Sequence, residues 1–273
     1  MKKPLSIVAC LAAALMSLHA ADFTPLSVTG YNFDAVVENN STNFGNSSQS
    51  LDATGNTFYE SGLSGSGNNT GLPVSEQVTA SVGGNDFTFN LASYGNNTGL
   101  TSNALQIAPG PGGHAFIELT LTSPAAYQSM AFLGFSTEAQ PAEALGDIQL
   151  TFTDNSTSIY SNVLDIPDWY FGSGTVSHPL IYNSTGRVNI TNDLYNQNLS
   201  GVGPEDGGKL FASVINLTGA DQIKQVESVG FRITSSTSAD RTYIMGASAV
   251  PEPGAVSLVL LAGAAWALRR RRR

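Results

Sequence analysis

The residues best suited to chemistry lie between positions 165 and 172, which read DIPDWYFG. This stretch combines two carboxylates, Asp165 and Asp168, with two adjacent aromatic side chains, Trp169 and Tyr170. Aromatic faces can stack on the C–H face of a sugar ring, and carboxylates accept hydrogen bonds from its hydroxyl groups. Proline and glycine in this stretch favour a loop. The pattern has two interpretations: its tryptophan and phenylalanine plug one end of the fold, or the stretch forms a glycan-binding loop.

Histidine chemistry has little support in the sequence. His114 and His178 are far apart, and the chain contains no HExxH pair, nucleophile elbow or phosphate-binding loop. The proline- and glycine-rich residues 109–113 are typical of a turn. These observations predict a non-catalytic protein without assigned catalytic residues.

A polysaccharide-active enzyme remains the alternative among the catalytic classes. Such enzymes need two carboxyl groups that face each other across a cleft. Asp165 or Asp168 could supply one of them, with Glu118 or Glu143 as the partner. Sequence spacing alone does not decide whether these residues meet.

No cofactor is predicted, but calcium is the one ion that the composition favours. Ca²⁺ prefers about 6–8 oxygen ligands, which acidic and amide-rich loops provide. The candidates are residues 204–208, the pair Asp154 and Asn155, and Asp52 with Asn56. None matches an EF-hand, so no metal site is assigned.

The N-terminus has the three parts of a secretory signal peptide. Lys2 and Lys3 precede an apolar stretch at residues 5–18, and small residues follow it. Cleavage by signal peptidase is expected after Ala20 or Ala21. Because the only cysteine lies inside this stretch, the mature chain should contain no disulfide, thiolate metal site or cysteine nucleophile.

The C-terminus carries a second short apolar segment. Pro251, Glu252 and Pro253 precede the uncharged residues 254–268. As a helix this segment would span roughly 22 Å, which is short for a bilayer core of about 30 Å. The basic cluster that ends the chain predicts a cytoplasmic C-terminus. The cluster consists of Arg269, Arg270, Arg271, Arg272 and Arg273.

The Pro-Glu-Pro triplet, the short apolar segment and the arginine cluster together resemble the PEP-CTERM sorting signal of bacteria. The resemblance covers about 24 residues. It implies transient anchoring in the inner membrane, recognition by an exosortase-type membrane protease, and delivery to the cell envelope, outer surface or medium. It also implies association with exopolysaccharide or biofilm matrix. An inert structural surface-coat protein is a further alternative for the exported domain.

Removal of both ends changes the charge balance. The whole chain has 12 basic and 21 acidic residues and a net charge of −9. Residues 22–250 retain 20 of the acidic residues but only five of the basic ones. The exported part is therefore strongly acidic and is not expected to bind nucleic acid through phosphate contacts.

Period-two alternation of apolar and polar residues predicts an all-β fold. Such alternation, which leaves one face of the sheet exposed to solvent, is typical of antiparallel sheets. The inward-facing sets are Phe87, Phe89 and Leu91; Ala115, Ile117, Leu119 and Leu121; Ile148, Leu150 and Phe152; and Val229, Phe231 and Ile233. Further strands are expected near residues 31–37, 77–82, 104–107, 129–135, 157–164, 187–191, 210–217 and 242–249.

The chain is therefore divided into three parts. Residues 1–21 form the signal peptide, residues 22–249 an exported domain, and residues 250–273 the sorting tail. The domain is expected to be an antiparallel two-sheet sandwich, jelly-roll-like, and the tail a short apolar helix. Residues 39–70, rich in Asn, Ser, Gly and Thr, are predicted to form surface loops. The one short helix is expected at residues 218–225.

Overall fold

A computed structural model describes most of the chain between Ala21 and Glu252. The described residues are 21–66, 70–95, 99–107, 115–137, 144–196, 207–234 and 241–252. The predicted signal peptide up to residue 20, and the tail from residue 253 onwards, lie outside them. Within the described residues no helix is both long and apolar enough to cross a membrane.

The described chain is built mainly of β-strands, which confirms the all-β prediction. The strands are β1 (Asp22–Pro25), β2 (Val28–Thr29), β3 (Val36–Val37), β4 (Asn56–Tyr59), β5 (Gln77–Val82), β6 (Asn85–Asn90), β7 (Leu105–Ile107), β8 (Ile117–Ala125), β9 (Tyr127–Thr137), β10 (Ala144–Phe152), β11 (Thr157–Ile166), β12 (Leu180–Asn183), β13 (Arg187–Asn189), β14 (Leu194–Asn196), β15 (Lys209–Asn216), β16 (Val226–Ile233) and β17 (Arg241–Pro251). The helices are the short α1 (Phe44–Ser47) and a 3-10 helix at Gly219–Asp221, inside the range expected for a helix.

The strands form three sheets. The largest has the order β12-β15-β9-β17-β1-β6-β5, with β7 also paired to β17. The second has the order β11-β10-β16-β8-β2, and the small third sheet has the order β14-β13-β4-β3. Most pairs are antiparallel, but β1 runs parallel to β6 and β3 runs parallel to β4. The predicted purely antiparallel pairing is therefore wrong for these two pairs, whose partners are joined by long connections rather than hairpins.

Strands β9 and β17 lie at the centre of the largest sheet and are buried on both faces. Their ladder runs from Arg241↔Thr137 to Pro251↔Tyr127, with irregularities near Met245 and before Pro251. On one face, Phe135 of β9 stacks on Tyr243 of β17 with ring centroids 4.8 Å apart. A strand with two buried faces has few polar residues, and this explains the uninterrupted apolar run at residues 130–135 in the middle of β9.

One hydrophobic cluster joins the largest sheet to the second sheet. Phe132 of β9 meets Phe231 of β16 edge to face, with centroids 5.1 Å apart. The inward-facing alternation predicted for β10 and β16 is confirmed, because their apolar residues enter this cluster. They are Ile148, Leu150, Phe152, Val229, Phe231 and Ile233.

A second cluster covers the opposite face of the largest sheet. It includes Phe87 and Phe89 of β6, as the alternation predicted, together with Phe58 of β4. The prediction of surface loops for residues 39–70 is wrong in this respect, since Leu51 and Tyr59 are also fully buried. Because most residues of this segment are polar, its few large side chains were not recognised in the sequence as core residues.

Polar side chains replace regular strand pairing in this part of the fold. The carboxylate of Asp34 is buried and accepts hydrogen bonds from the backbone of Val36 and Thr101 and from Asn103 Nδ2. Asn103 Oδ1 in turn accepts from Ala35 N at 2.8 Å. Buried backbone groups need partners, and in this segment short polar side chains provide them. Burial raises the pKa of Asp34 to about 6 despite these hydrogen bonds, and the charge of Glu38 acts in the same direction.

We expect Asp34 to make the protein more stable at pH 5 than at pH 7. A carboxyl group whose pKa is raised on folding binds its proton more tightly in the folded state than in the unfolded state. Its contribution to the free energy of unfolding therefore falls as the pH rises through about 4 to 6. The free energy of unfolding should gain about 1 kcal/mol from this group between pH 7 and pH 5. Urea unfolding of the wild type and of Asp34→Asn at pH 5, 6 and 7 measures the difference. Identical pH slopes for the two proteins would contradict the assignment.

Candidate functional site

The predicted glycan-binding stretch begins with the last two residues of β11 and continues as a loop. Asp168 lies in this loop and is buried, with 7% of its surface exposed. Its Oδ1 accepts hydrogen bonds from the backbone N–H groups of Tyr170 (2.9 Å) and Phe171 (3.1 Å). Asp168 therefore shapes the turn, as aspartate side chains do when they bond to the backbone two or three residues on.

Trp169 belongs to the hydrophobic core. Only 2% of it is exposed, and its ring lies 5.1 Å from that of Phe58 and 6.0 Å from that of Phe135. A buried ring has no free face for a sugar, so the stacking prediction for Trp169 is wrong. The alternative, that the tryptophan plugs the fold, describes its position.

The exposed part of the loop consists of Tyr170 and Phe171. Tyr170 is half-buried, Phe171 is 62% exposed, and their rings meet edge to face at 4.7 Å. The guanidinium carbon of Arg187, on β13, lies 4.5 Å from the centroid of the Tyr170 ring, a cation–π arrangement. We call Tyr170, Phe171 and Arg187 the aromatic surface.

Lys209 fixes the backbone beneath this surface. Its Nζ donates to the carbonyl oxygens of Tyr170 and Gly172, each at 3.0 Å. Sequence reasoning did not find the contributions of Arg187 and Lys209, because both arrive from strands that are distant along the chain.

Asp165, the first carboxylate of the loop, faces a histidine instead of the aromatic surface. Its Oδ2 lies 3.2 Å from Nδ1 of His178, a residue that is 2% exposed. Nε2 of the same imidazole lies 3.0 Å from Oγ1 of Thr175. A carboxylate, an imidazole and a hydroxyl are thus joined in one hydrogen-bonded chain. Nothing in the sequence indicated the pair, since 13 residues separate Asp165 from His178.

A cleft of about 950 Å³ opens beside this chain of hydrogen bonds. Asp165 and Thr175 lie on its wall, together with the half-buried apolar side chains of Val163, Leu180 and Val214. Ligand pockets in proteins range over roughly 300–1,000 Å³ and combine apolar walls with a few polar groups. The volume of this cleft lies within that range.

The paired-carboxylate alternative gains no contact from the structure. Glu118 lies on β8, where its carboxylate accepts a hydrogen bond from Ser228 on the adjacent β16 at 3.2 Å. Asp165 and Asp168 are engaged as described above, and Glu143 lies outside the described residues.

The calcium candidates are engaged by neighbouring protein groups where the structure describes them. Asp52 accepts hydrogen bonds from Thr54 and from Asn56, and Arg187 approaches it at 3.9 Å. Asp154 accepts from Ser156 and lies 3.7 Å from Lys224; these contacts lower its pKa. Residues 204–206 lie outside the described ranges. Within those ranges no group of three or more His, Cys, Asp or Glu side chains is arranged to hold a metal ion.

Comparisons of the chain with protein families, with curated proteins and with solved structures found no match.

Two substitutions in the loop should differ in their effect on stability, because one removes a buried side chain and the other an exposed one. Trp169→Ala removes a core aromatic side chain and should cost about 3–5 kcal/mol of unfolding free energy. Phe171→Ala removes an exposed ring and should change stability by no more than about 0.5 kcal/mol. Urea unfolding of both variants tests this, and equal losses in the two proteins would contradict the assignment of Trp169 to the core.

Proposed function

We propose that the protein is exported, cut by signal peptidase near Ala20 or Ala21, and sorted through its C-terminal tail. The single observation that carries this proposal is the resemblance of residues 251–273 to a PEP-CTERM signal. In the proposed route an exosortase-type membrane protease recognises the anchored tail. The protein then reaches the cell envelope, the outer surface or the medium.

The position of the motif at the end of β17 supports this proposal. Pro251 is the last residue of that strand and is exposed, and the N–H of Glu252 donates to Ala126 O at 3.2 Å. Proline lacks an N–H and cannot continue a regular ladder. The last central strand therefore ends where the motif begins, so removal of the residues beyond it would leave the described sheets intact.

We further propose that the exported domain is a two-sheet sandwich of jelly-roll type, to which the small third sheet is added. The shared cluster between the largest and the second sheet supports this description. A rigid frame of this kind suits a domain that displays binding residues on loops.

For the exported domain we propose binding of exopolysaccharide or biofilm-matrix polysaccharide through the aromatic surface, whose own side chains have a non-catalytic role. The exposed Phe171 ring next to the Arg187–Tyr170 stack supports this proposal. The ring would stack on a pyranose, and the guanidinium would donate hydrogen bonds to its hydroxyl groups. Asp165 and Asp168, which were candidates from the sequence, are not used in this site because each is engaged inside the protein.

Processing can be checked by intact mass spectrometry of protein recovered from cells and from the medium. We expect the released form to lack about the first 20 residues and the whole arginine cluster, because the tail is too short for comfortable membrane spanning. A variant with neutral residues at positions 269–273 should accumulate unprocessed, because the positive charges hold the tail at the inner face. Released protein that still carries Arg273 would contradict the proposal.

Polysaccharide binding can be checked by retention on exopolysaccharide prepared from the source bacterium. Phe171→Ala should reduce retention at least tenfold, since covering an exposed phenylalanine side chain is worth about 1.5–3 kcal/mol. The matched control is Ile223→Ala, which removes an apolar side chain that is also exposed, at 78%. Equal retention of both variants, or no retention of the wild type, would contradict the binding role and favour a surface-coat protein.

A further inference from the structure

We propose that Thr175, His178 and Asp165 form a catalytic relay that hydrolyses carboxylic esters in the cleft. These side chains are separate from those of the proposed binding surface. Asp165 Oδ2 lies 3.2 Å from His178 Nδ1, and His178 Nε2 lies 3.0 Å from Thr175 Oγ1. This is the order carboxylate, imidazole, hydroxyl that activates an alcohol as a nucleophile.

The carboxylate determines which nitrogen of the imidazole carries the proton. An ionised Asp165 can only accept a hydrogen bond, so Nδ1 of His178 must donate to it. In the neutral ring Nε2 is then the acceptor, and the hydroxyl of Thr175 donates to it. The orientation of His178 is held by the surrounding core, since the ring packs edge to face on Phe211 at 6.4 Å. Asp165 is thus a positioning residue, and His178 is the general base.

Two further donors stabilise negative charge on the nucleophile. Since Thr175 donates to the imidazole, the hydroxyl of Ser177, 2.9 Å away, donates to Thr175 Oγ1. The backbone N–H of His178 also points to this atom, at 3.4 Å. Hydrogen bonds to the charged form of a group favour that form. They therefore favour the alkoxide that develops when the proton leaves Thr175.

The position of the relay makes the nucleophile accessible while the base is protected. Thr175 is exposed and lies on the wall of the cleft, whereas His178 is buried beneath it. Val82, Leu180 and Val214 form an apolar wall of half-buried side chains. Asn162 also lines the cleft, with an amide side chain.

The lining identifies the substrate class as a neutral ester with a short apolar acyl group. The apolar wall would take the acyl chain, and the amide side chain would bind the alcohol portion. An anionic substrate is disfavoured because Asp165 is on the wall and the chain carries a net charge of −9.

The reaction proceeds in two balanced steps. In the first, Nε2 of His178 takes the proton of Thr175, Oγ1 bonds to the ester carbon, and the ester C–O bond breaks. The imidazolium returns its proton to the departing alcohol, which leaves an acyl group on Thr175. In the second step Nε2 takes a proton from water, the hydroxide attacks the acyl carbon, and the bond to Oγ1 breaks. Thr175 recovers its proton, and the products are one acid and one alcohol.

The test uses the full chain, with p-nitrophenyl butyrate as substrate and an alkyl fluorophosphonate as covalent label. The wild type should release p-nitrophenol and carry the label on Thr175 in peptide mass maps. Thr175→Val, which keeps the β-branched shape without the hydroxyl, should lose at least about 100-fold in kcat and should not be labelled there. Asp165→Asn should lower kcat at least about tenfold with KM nearly unchanged, because the residue acts through the imidazole.

The matched control is Ser173→Ala, which removes an exposed hydroxyl from the same loop outside the hydrogen-bonded chain. Its kcat and labelling should equal those of the wild type. Thr175→Ser, which retains a hydroxyl, should keep activity, and this variant decides the question if the valine variant does not fold. The proposal is overturned if the wild type neither hydrolyses the ester nor takes the label. It is also overturned if the label lies on another residue, or if a folded Thr175→Val retains activity.

Discussion

The rest of the structure depends on the burial of β9 and β17 on both faces. A backbone taken out of water must pair all its N–H and C=O groups, and these two strands do so mainly with each other and with the strands that flank them. Both faces must then be covered by apolar layers. The second sheet covers one face, and the polar, loop-rich N-terminal segment with the small third sheet covers the other. The three-sheet architecture follows from this single requirement.

The end of β9 also holds the loop that carries both candidate sites. Ser136 makes three hydrogen bonds to the segment that contains the loop. Its N–H donates to Pro167 O, its hydroxyl donates to Ile166 O, and its carbonyl oxygen accepts from Trp169 N. The buried Trp169 ring then fixes the direction in which the chain continues. Asp165, before the tryptophan, lines the cleft, and Tyr170 and Phe171, directly after it, reach the surface. The aromatic surface and the hydrogen-bonded pair of Asp165 and His178 therefore both depend on this anchored turn.

The N-terminal segment shows how a polar sequence can cover a core. A few large side chains, among them Leu51 and Tyr59, supply the apolar contact. Buried acids, amides and hydroxyls satisfy the backbone where strands are too short to do so; Ser48 Oγ, for example, donates to Asp34 O, and Thr57 Oγ1 to Ala35 O. Such a cover is sensitive to the protonation of Asp34, whose pKa is raised because it is buried.

The sequence by itself determined the all-β class and most of the longer strands, since alternation along β6, β8, β10 and β16 reports directly which side of a strand is wet. It missed β1, β2, β4, β12 and β14, which have too few residues to show a period. It also grouped Asp165, Asp168, Trp169 and Tyr170 as one site because they are neighbours along the chain. Only the tertiary structure separates them: Trp169 lies in the core, Tyr170 packs against Arg187, and Asp165 contacts His178. The reason is physical: local spacing limits which side chains can be close, but the contacts that select their roles come from strands distant in sequence, which only the folded sheets bring together.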